Sequence, residues 1–513
     1  MNWAAAVVFI VCLVGVSLIG FWAARWHRGD LSHIEEWGLG GRRFGTLITW
    51  FLIGGDCYTA YTLIAVPALV FGVGAIGFFA LVYTIIVYPF VFLVMPRLWR
   101  VSRRHNYATL ADFARGRYGS RHLALAIAVT GIIATLPYIA LQMLGMQVSI
   151  AALGFSNPRV ASDVGLVAAF LILAAYDYTS GLRAPAAIAI VKDILIYGVV
   201  FVAVIWVPMQ LGGYGHIFAA AGRLLAMHHP AGALILPRGK DMAFATLALG
   251  SAFALFLYPH AATGVLSADS DRTIERNAML LPAYSFVLAL VALLGYMALV
   301  AGVTVHQPND IVPALFHRMF PPWFAGLALA SIAIGALVPA AIMSIASATL
   351  FTRNIYREYI RPGMTGRQEA SLAKLVSLLI KLAAVVFVIF GDQTYAINLQ
   401  LLGGIWVLQT FPAIVFGLYK RWFHPTGLLL GWALGMIVGT VMGWQMGLKS
   451  SVYPLHLFGL NIAAYAAVDA LVVNLAIAIA VTYWLRWRRA PAGSDETEPA
   501  DYERAGAAAA AVS

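Results

Sequence analysis

Charged residues are scarce in this sequence. Asp, Glu, Lys and Arg make up 11% of the 513 residues, whereas hydrophobic residues make up 62% and the mean hydropathy is +0.84. Soluble domains carry about a quarter charged residues. The composition therefore excludes an ordinary soluble domain, and the apolar segments that follow one another from residue 2 to residue 485 indicate one integral membrane domain.

Cysteine is also scarce. Cys12 and Cys57 are the only two, and both fall in apolar segments, where a thiol usually behaves as a small hydrophobe. Neither a disulfide framework nor a metal cluster is implied. The apolar segments also lack metal-ligand spacing, a nucleophile elbow and a paired acid and base, which argues against a membrane enzyme. The short polar tail argues against a membrane sensor with a kinase domain.

Thirteen apolar segments are about long enough to cross a bilayer, at ~1.5 Å of helix per residue. They must be helical, because no water in the bilayer core can satisfy backbone amides. We predict an all-α membrane protein with one transmembrane domain over residues 1–489 and a disordered cytoplasmic tail over 490–513. The predicted spans are residues 2–24, 46–71, 73–96, 123–152, 163–181, 184–211, 242–266, 278–304, 322–350, 371–391, 394–419, 426–447 and 460–485.

Basic residues account for a net charge of +11, but they gather in alternate loops between the predicted spans. Examples are the arginines within residues 97–104, 115–121 and 353–367. Such a bias marks the cytoplasmic side of a membrane protein. We therefore predict a multi-pass protein of the cell inner membrane, with its N-terminus outside and its C-terminus inside, and no nucleic-acid partner.

Two predicted spans are interrupted near their middles. The second contains Gly54-Gly55-Asp56, and the seventh contains Tyr258-Pro259-His260. Broken helices at matching positions of two repeats indicate a transporter binding site rather than a passive channel. A break frees carbonyls on one half-helix and amides on the other, which suit a cation and an anion respectively.

Several short motifs follow one another in a specific order along these spans. They are Gly40-Gly41-Arg42, Ala108-Thr109-Leu110-Ala111-Asp112-Phe113, Gly181-Leu182-Arg183, Ala340-Ala341-Ile342-Met343-Ser344 and Arg353-Asn354-Ile355-Tyr356. In this order they make the sequence resemble the sodium:solute symporter family. The stretch Phe256-Leu257-Tyr258-Pro259-His260-Ala261 is most similar to the monocarboxylate permeases within that family.

The resemblance implies a leucine-transporter-type fold with inverted five-helix repeats over about 46–211 and 242–419, and alternating access. It implies secondary active symport of short monocarboxylates such as lactate, pyruvate, acetate or propionate, with Na⁺ or H⁺ as coupling ion and no other cofactor. A sodium-coupled symporter for another solute, such as an amino acid, is the alternative. The expected partners are a small carboxylate and the lipid bilayer. The oligomeric state stays open, with a monomer as one option.

The family's sodium site, carried over to this sequence, would use Gly54, Cys57, Ala341 and Ser344. Ile345 stands where the family usually has a hydroxyl residue. Because sodium is a hard cation that prefers oxygen ligands, the loss of one hydroxyl weakens such a site.

A second departure from the family is Lys192, which precedes Asp193 in the sixth span where a threonine is common. A lysine at the bilayer centre costs ~3 kcal/mol or more unless it is paired, and burial disfavours its charged form. We hypothesise that Lys192 replaces the sodium ion, as a fixed cation or as the proton carrier. A snorkelling lysine, or a structural pair with Asp193, is the alternative. Asp56 is a further cation-site candidate, or else a helix cap.

Polar side chains near the two breaks could bind the solute. His260 stands out because it lies beside Pro259 at the second break, although each candidate could instead pack between helices or hydrogen-bond across spans. The substrate-site candidates are Tyr58, Thr59, Tyr61, Thr62, Gln142, Tyr258 and His260.

Overall fold

In a computed structural model, the chain is described over residues 2–25, 29–55, 58–228, 231–390, 397–457 and 460–504. Apart from one β-hairpin, the structure over these ranges is built almost entirely of helices. The helices up to the end of the first predicted repeat are α1 (Trp3–Arg25), α2 (Ile34–Leu39), α3 (Thr46–Gly55), α4 (Tyr61–Val73), α5 (Ala75–Arg104), α6 (Leu110–Tyr118), α7 (Arg121–Ala151), α8 (Pro158–Ser180) and α9 (Arg183–Gln210).

The remaining helices complete the second predicted repeat and the C-terminal spans. They are α10 (Gly213–Ala226), α11 (Asp241–Leu255), α12 (Pro259–Leu266), α13 (Asp271–Val300), α14 (Ile311–Met319), α15 (Pro322–Ile360), α16 (Gly366–Phe390), α17 (Ile397–Tyr419), α18 (Pro425–Gln445) and α19 (Ala466–Trp487). Strands β1 (Val452–Leu457) and β2 (Leu460–Tyr465) form an antiparallel hairpin before α19, in which Val452 lies opposite Tyr465.

Each predicted span has a counterpart within the described ranges. Eleven helices are long and apolar enough to cross a membrane, and the bent pair α11 and α12 makes a twelfth. The shorter helices α3 and α4 correspond to the predicted second span, whose Asp56 and Cys57 lie outside the described residues. The all-α membrane fold is thus confirmed. The last span begins at Ala466 rather than at residue 460, because residues 460–465 form a strand that was not predicted.

The seventh predicted span is broken, as its sequence indicates. Helices α11 and α12 meet at an angle of 48° across Phe256 to Tyr258. Tyr258 is extended, with φ −63° and ψ 138°, and Pro259 is the first residue of α12. A proline disfavours helical backbone angles in the preceding residue and has no N–H to donate. The local sequence therefore favours the break.

Helix α15 lies at the centre of the bundle. Its apolar membrane-spanning part is completely buried, and the helix packs against α1, α7 and α9. Small residues such as Gly335 allow this close approach, because a Cβ there would meet Leu63 at 3.0 Å and Ile196 at 3.4 Å. Helix α12, the second half of the broken span, also packs against α15, so this break lies beside the buried part of the central helix.

Several polar loops meet at one end of the bundle, which we call the basic end. Its segments are residues 29–45, 103–121 and 353–366. Arg42 donates to the carbonyl of Tyr107 at 2.7 Å, and Arg353 donates to the carbonyl of Asn106 at 3.2 Å. These contacts join loops that are far apart in the sequence.

The C-terminal segment was predicted to be a disordered tail. Over residues 490–504, it instead packs on the basic end. Asp495 pairs with Arg117 at 2.7 Å, and Arg504 pairs with Glu275 at 2.7 Å. Tyr502 is only 4% exposed. Composition alone suggested disorder, but these contacts hold the segment in place, while residues 505–513 lie outside the described range.

Replacing the buried ring of Tyr502 should loosen this segment. The hydroxyl of Tyr502 lies 2.8 Å from that of Thr497, and its carbonyl accepts from Arg100 at 3.2 Å. Truncating a buried aromatic ring costs roughly 3 kcal/mol. We expect Tyr502→Ala to lower the thermal unfolding midpoint of the detergent-solubilised protein by several degrees. The exposed neighbour Glu503 supplies the control, since Glu503→Ala should leave the midpoint unchanged; equal midpoints for both variants would contradict the packing described.

Candidate functional site

The side chain of Lys192 reaches the gap between α3 and α4. Its Nζ donates to the carbonyl oxygens of Gly55 at 2.7 Å and Tyr58 at 3.0 Å, and lies 3.1 Å from Oδ1 of Asp193. Both charged side chains are completely buried. A buried charge is tolerated only when it is paired and hydrogen-bonded, and the ammonium meets that requirement with oxygen atoms alone.

The carbonyls that hold Lys192 are available because α3 ends at Gly55 and α4 begins at Tyr61. Terminal carbonyls of a helix have no partner within it. The sequence predicted Gly54 as a carbonyl ligand at this break, whereas the contact to Lys192 is made by Gly55 and Tyr58. The ammonium thus binds backbone carbonyls at a helix break, which are groups that can bind a cation.

Tyr284 of α13 completes this cation cluster and was missed by the sequence analysis. Its hydroxyl donates to Oδ2 of Asp193, and its carbonyl accepts from the hydroxyl of Tyr58 at 3.1 Å. Gly54 lies against its ring, since a Cβ on that glycine would be 2.1 Å from two ring carbons. No local motif marks Tyr284, because its partners are more than 90 residues away in the sequence.

The predicted sodium ligands on α15 are engaged within their own helix. The hydroxyl of Ser344 donates to the carbonyls of Ala340 at 2.8 Å and Ala341 at 2.9 Å, and Ile345 is fully buried. The predicted partners Asp56 and Cys57 lie outside the described residues. A complete sodium site of Gly54, Cys57, Ala341 and Ser344 thus stays a prediction.

The side chains of Gln142 and Thr59 accept hydrogen bonds from the backbone amides at the start of α4. The side-chain oxygen of Gln142 accepts from the N–H of Ala60 at 3.0 Å, and the hydroxyl of Thr59 accepts from the N–H of Tyr61 at 3.0 Å. Gln142 is completely buried. The amides that sequence reasoning left open for a carboxylate therefore already have side-chain partners.

A second group of candidates gathers around Tyr138 of α7, which sequence reasoning also missed. The rings of Tyr258 and His260 lie 5.5 and 5.4 Å from the Tyr138 ring. The hydroxyl of Tyr258 donates to the carbonyl of Gln400 at 2.9 Å. His260 is fully buried, and among the described residues neither of its ring nitrogens has a hydrogen-bond partner. An unsatisfied buried polar group is rare enough to call for an explanation.

The two remaining candidates, Tyr61 and Thr62, lie in α4 and are buried. Tyr61 packs its ring 6.3 Å from that of Tyr83, and Thr62 is 1% exposed. The carbonyl of Tyr138 accepts from the side-chain amide of Gln142 at 3.4 Å, which links the His260 group to the first break. The candidates thus form two neighbouring groups, one around Lys192 and one around His260.

A second buried ion pair lies away from both groups. Lys381 of α16 is 2.8 Å from Oδ2 of Asp177 on α8, and its ammonium also donates to the hydroxyl of Ser377 at 2.8 Å. Both charged residues are at most 2% exposed. This pair joins α8 to α16, and it makes no contact with the breaks among the bonds described.

Residues 37–439 match the family model described as the sodium:solute symporter family. The chain belongs to this family, whose members are transporters. A solved Na⁺-coupled sialic acid symporter, in a substrate-bound outward-open state, has the same fold, with a TM-score of 0.74 at 15% identity, over 96% of this chain and 99% of that one. That likeness confirms the leucine-transporter-type architecture with inverted repeats.

Two curated relatives align over most of the chain. A protein of Rhizobium johnstonii named "Monocarboxylate transport permease protein" is 52% identical over 485 residues, which cover 94% of this chain and 97% of the relative. An uncharacterized symporter of Bacillus subtilis, YodF, is 34% identical over 85% of this chain and 88% of its own length. This symporter family member therefore spans nearly the full length of its relatives.

Adding a methyl group at Gly54 should disrupt the cation cluster. The clash with Tyr284 would push the ring away from Asp193, and overpacking of this kind costs about 1–3 kcal/mol. We expect Gly54→Ala to lower the thermal unfolding midpoint by several degrees. Gly198 on α9 is the matched control, because a Cβ there would meet nothing within 4 Å. Equal midpoints for Gly54→Ala and Gly198→Ala would show that the close packing does not matter.

Proposed function

We propose that this symporter takes up short monocarboxylates and is driven by protons, with Lys192 in the place of the sodium ion. The observation that carries the proposal is the contact of the Lys192 ammonium with the carbonyls of Gly55 and Tyr58 and the carboxylate of Asp193. Backbone carbonyls freed at a helix break are the groups that coordinate a coupling cation in broken-helix transporters. A lysine at such a position supplies the positive charge from its own side chain instead of from a bound ion.

A lysine can couple transport to protons because its charge is exchangeable. Asp193 and the two carbonyls hold the ammonium in place. A movement of the repeats that separates Lys192 from these oxygens would remove the partners of its charge and let the proton leave. Sodium coupling has no need of such a group, since the ion itself arrives and leaves.

The solute is proposed to be a short monocarboxylate that binds at the second break. The relative named as a monocarboxylate transport permease is 52% identical to this chain. His260, buried beside Pro259, offers two ring nitrogens with no described partner. In a neutral imidazole, the nitrogen that carries the proton can donate to a carboxylate oxygen, and the other can accept from a hydroxyl group. Gln142, Tyr58, Thr59, Tyr61, Thr62 and Tyr258 are proposed as the surrounding residues.

The basic end is proposed to face the cytoplasm, in the inner membrane of a cell. The arginines of the loops at this end fit the positive-inside rule. The N-terminus is then outside and the C-terminal segment inside, where its acidic residues meet the cytoplasmic arginines.

Sodium coupling, with a monocarboxylate or another solute, is the second candidate. The family name and the solved Na⁺-coupled relative favour it, and Ala341 and Ser344 keep two of the oxygen donors carried over from the family. In that case, Lys192 would be structural, paired with Asp193.

The two candidates differ in which gradient drives uptake of labelled lactate into proteoliposomes. We expect concentrative uptake with an inward proton gradient and none with an inward sodium gradient. The double variant Lys192→Met with Asp193→Asn, which removes the pair without leaving a lone buried charge, should lose proton-driven uptake. Uptake driven by sodium alone would instead support the second candidate.

The buried pair of Lys381 and Asp177 provides a matched control. The double variant Lys381→Met with Asp177→Asn also removes a buried ion pair, but it leaves the breaks untouched. We expect this variant to keep proton-driven uptake, even if its thermal unfolding midpoint is lower than that of the wild type. If both double variants lost uptake to the same extent, loss of packing rather than of the coupling charge would explain the Lys192 result.

Replacing His260 should separate solute binding from stability. An imidazole without hydrogen bonds is costly to bury, so the apolar side chain in His260→Leu should keep or raise the thermal unfolding midpoint. If the ring binds the solute, the same change should lower lactate uptake about ten-fold or more, equivalent to ~1.4 kcal/mol or more of binding. Unchanged uptake in a stable His260→Leu protein would rule out this role.

A further inference from the structure

A narrow crevice leads from the second break towards the basic end. Its volume is ≈ 20 Å³, about enough for one water molecule. Its walls include Leu257 and Pro259 of the break, Leu350 of α15 and Thr109 just before α6. The crevice therefore begins beside the residues proposed to bind the solute. It ends at the loop between α5 and α6.

A layer of hydrogen bonds closes the crevice at Thr109. The hydroxyl of Thr109 donates to the side-chain oxygen of Asn354 at 2.8 Å, and the Asn354 amide donates to Oδ1 of Asp112 at 2.6 Å. Arg353 binds the other oxygen of Asp112 at 2.7 Å. We call Thr109, Asp112, Arg353 and Asn354 the latch, because they tie α6 to the end of α15.

A wider, polar cavity lies on the other side of the latch. Its volume is ≈ 310 Å³, and Asp112, Arg353 and Asn354 form one of its walls. Four arginines line it against one aspartate and one glutamate, which leaves a net charge of +2; the charged lining residues are Arg115, Arg121, Arg353, Arg357, Asp112 and Glu358. We call this cavity the vestibule.

Arg121 differs from the other arginines of the vestibule. Arg115 pairs with Glu358, Arg353 with Asp112 and Arg357 with Glu369. The guanidinium of Arg121 lies 5.8 Å from the ring of Tyr359, and no carboxylate partner for it occurs among the described residues. A guanidinium fork matches one carboxylate by two parallel hydrogen bonds.

We propose that the latch is the gate through which the solute passes at the basic end, and that the vestibule binds its carboxylate group at Arg121. The latch separates the two cavities by a single hydrogen-bonded layer, with Thr109 lining the crevice and Asn354 lining the vestibule. An excess of positive charge in a cleft raises the local concentration of an anion. The inference rests on the proposed monocarboxylate function and assigns a second solute site to it.

Side-specific kinetics in proteoliposomes of known protein orientation test the vestibule. We expect Arg121→Gln to raise the KM for lactate presented at the basic end about three-fold or more at low ionic strength, where surface charge is least screened. The KM at the opposite end should stay unchanged. Arg159→Gln, at the other end of the bundle, is the matched loss of one positive charge and should leave the KM at the basic end unaltered.

Two outcomes separate this inference from the proposed function. If the wild-type protein transports lactate but Arg121→Gln leaves both KM values unchanged, or raises them equally, the vestibule site is wrong and the transport function stands. If the wild-type protein does not transport short monocarboxylates, the proposed function itself is wrong.

Hydrogen exchange of the purified protein tests the latch without any solute. Asn354→Ala removes the bonds to Thr109 and Asp112, so we expect faster amide exchange in residues 108–113 and at the crevice wall, residues 257–263. Gln368→Ala, an exposed change at the same end, should leave both segments as in the wild type. Unchanged exchange in Asn354→Ala would overturn the latch.

Discussion

The rest of the structure depends on one constraint: a backbone group inside a bilayer must find a partner within the protein. The gap between α3 and α4 leaves the carbonyls of Gly55 and Tyr58 without helical partners, and such groups cost several kcal/mol each in an apolar medium. The ammonium of Lys192 satisfies both carbonyls. The same contact that makes a broken helix tolerable therefore puts the Lys192 ammonium at the position where we propose that it replaces a coupling ion.

The buried pair also joins the two predicted repeats. Lys192 and Asp193 belong to α9, in the predicted first repeat, whereas Tyr284 belongs to α13, in the predicted second repeat, and donates to Asp193. Gly54 permits this arrangement, because any larger residue would overlap the Tyr284 ring. A movement of one repeat against the other must change the surroundings of the buried pair, which is the physical requirement for coupling a charge to alternating access.

Sequence alone could predict the spans and the second break, because long apolar runs and a proline after an extended residue act locally. It also singled out Lys192, since a lysine in an apolar run is costly. It could not find Tyr284 or Tyr138, whose roles arise from contacts between helices distant in sequence. The segment over residues 490–504 was assigned to disorder from its composition, although its acidic residues meet arginines that only the folded bundle gathers at one end.

The hydrogen bonds of Lys192 allow two arrangements of one proton within the buried pair. As an ammonium, Lys192 has three donors, and three acceptors surround it, the carbonyls of Gly55 and Tyr58 and Oδ1 of Asp193. As a neutral amine, it keeps two N–H donors for the two carbonyls and gains a lone pair that can accept from a protonated Asp193. Both arrangements hold the same number of protons and keep the backbone carbonyls satisfied, so a net release of the proton also needs access of the pair to water. Lys381 donates to Asp177 and Ser377 on helices without such a break, which suits a permanent tie between helices rather than an exchange site.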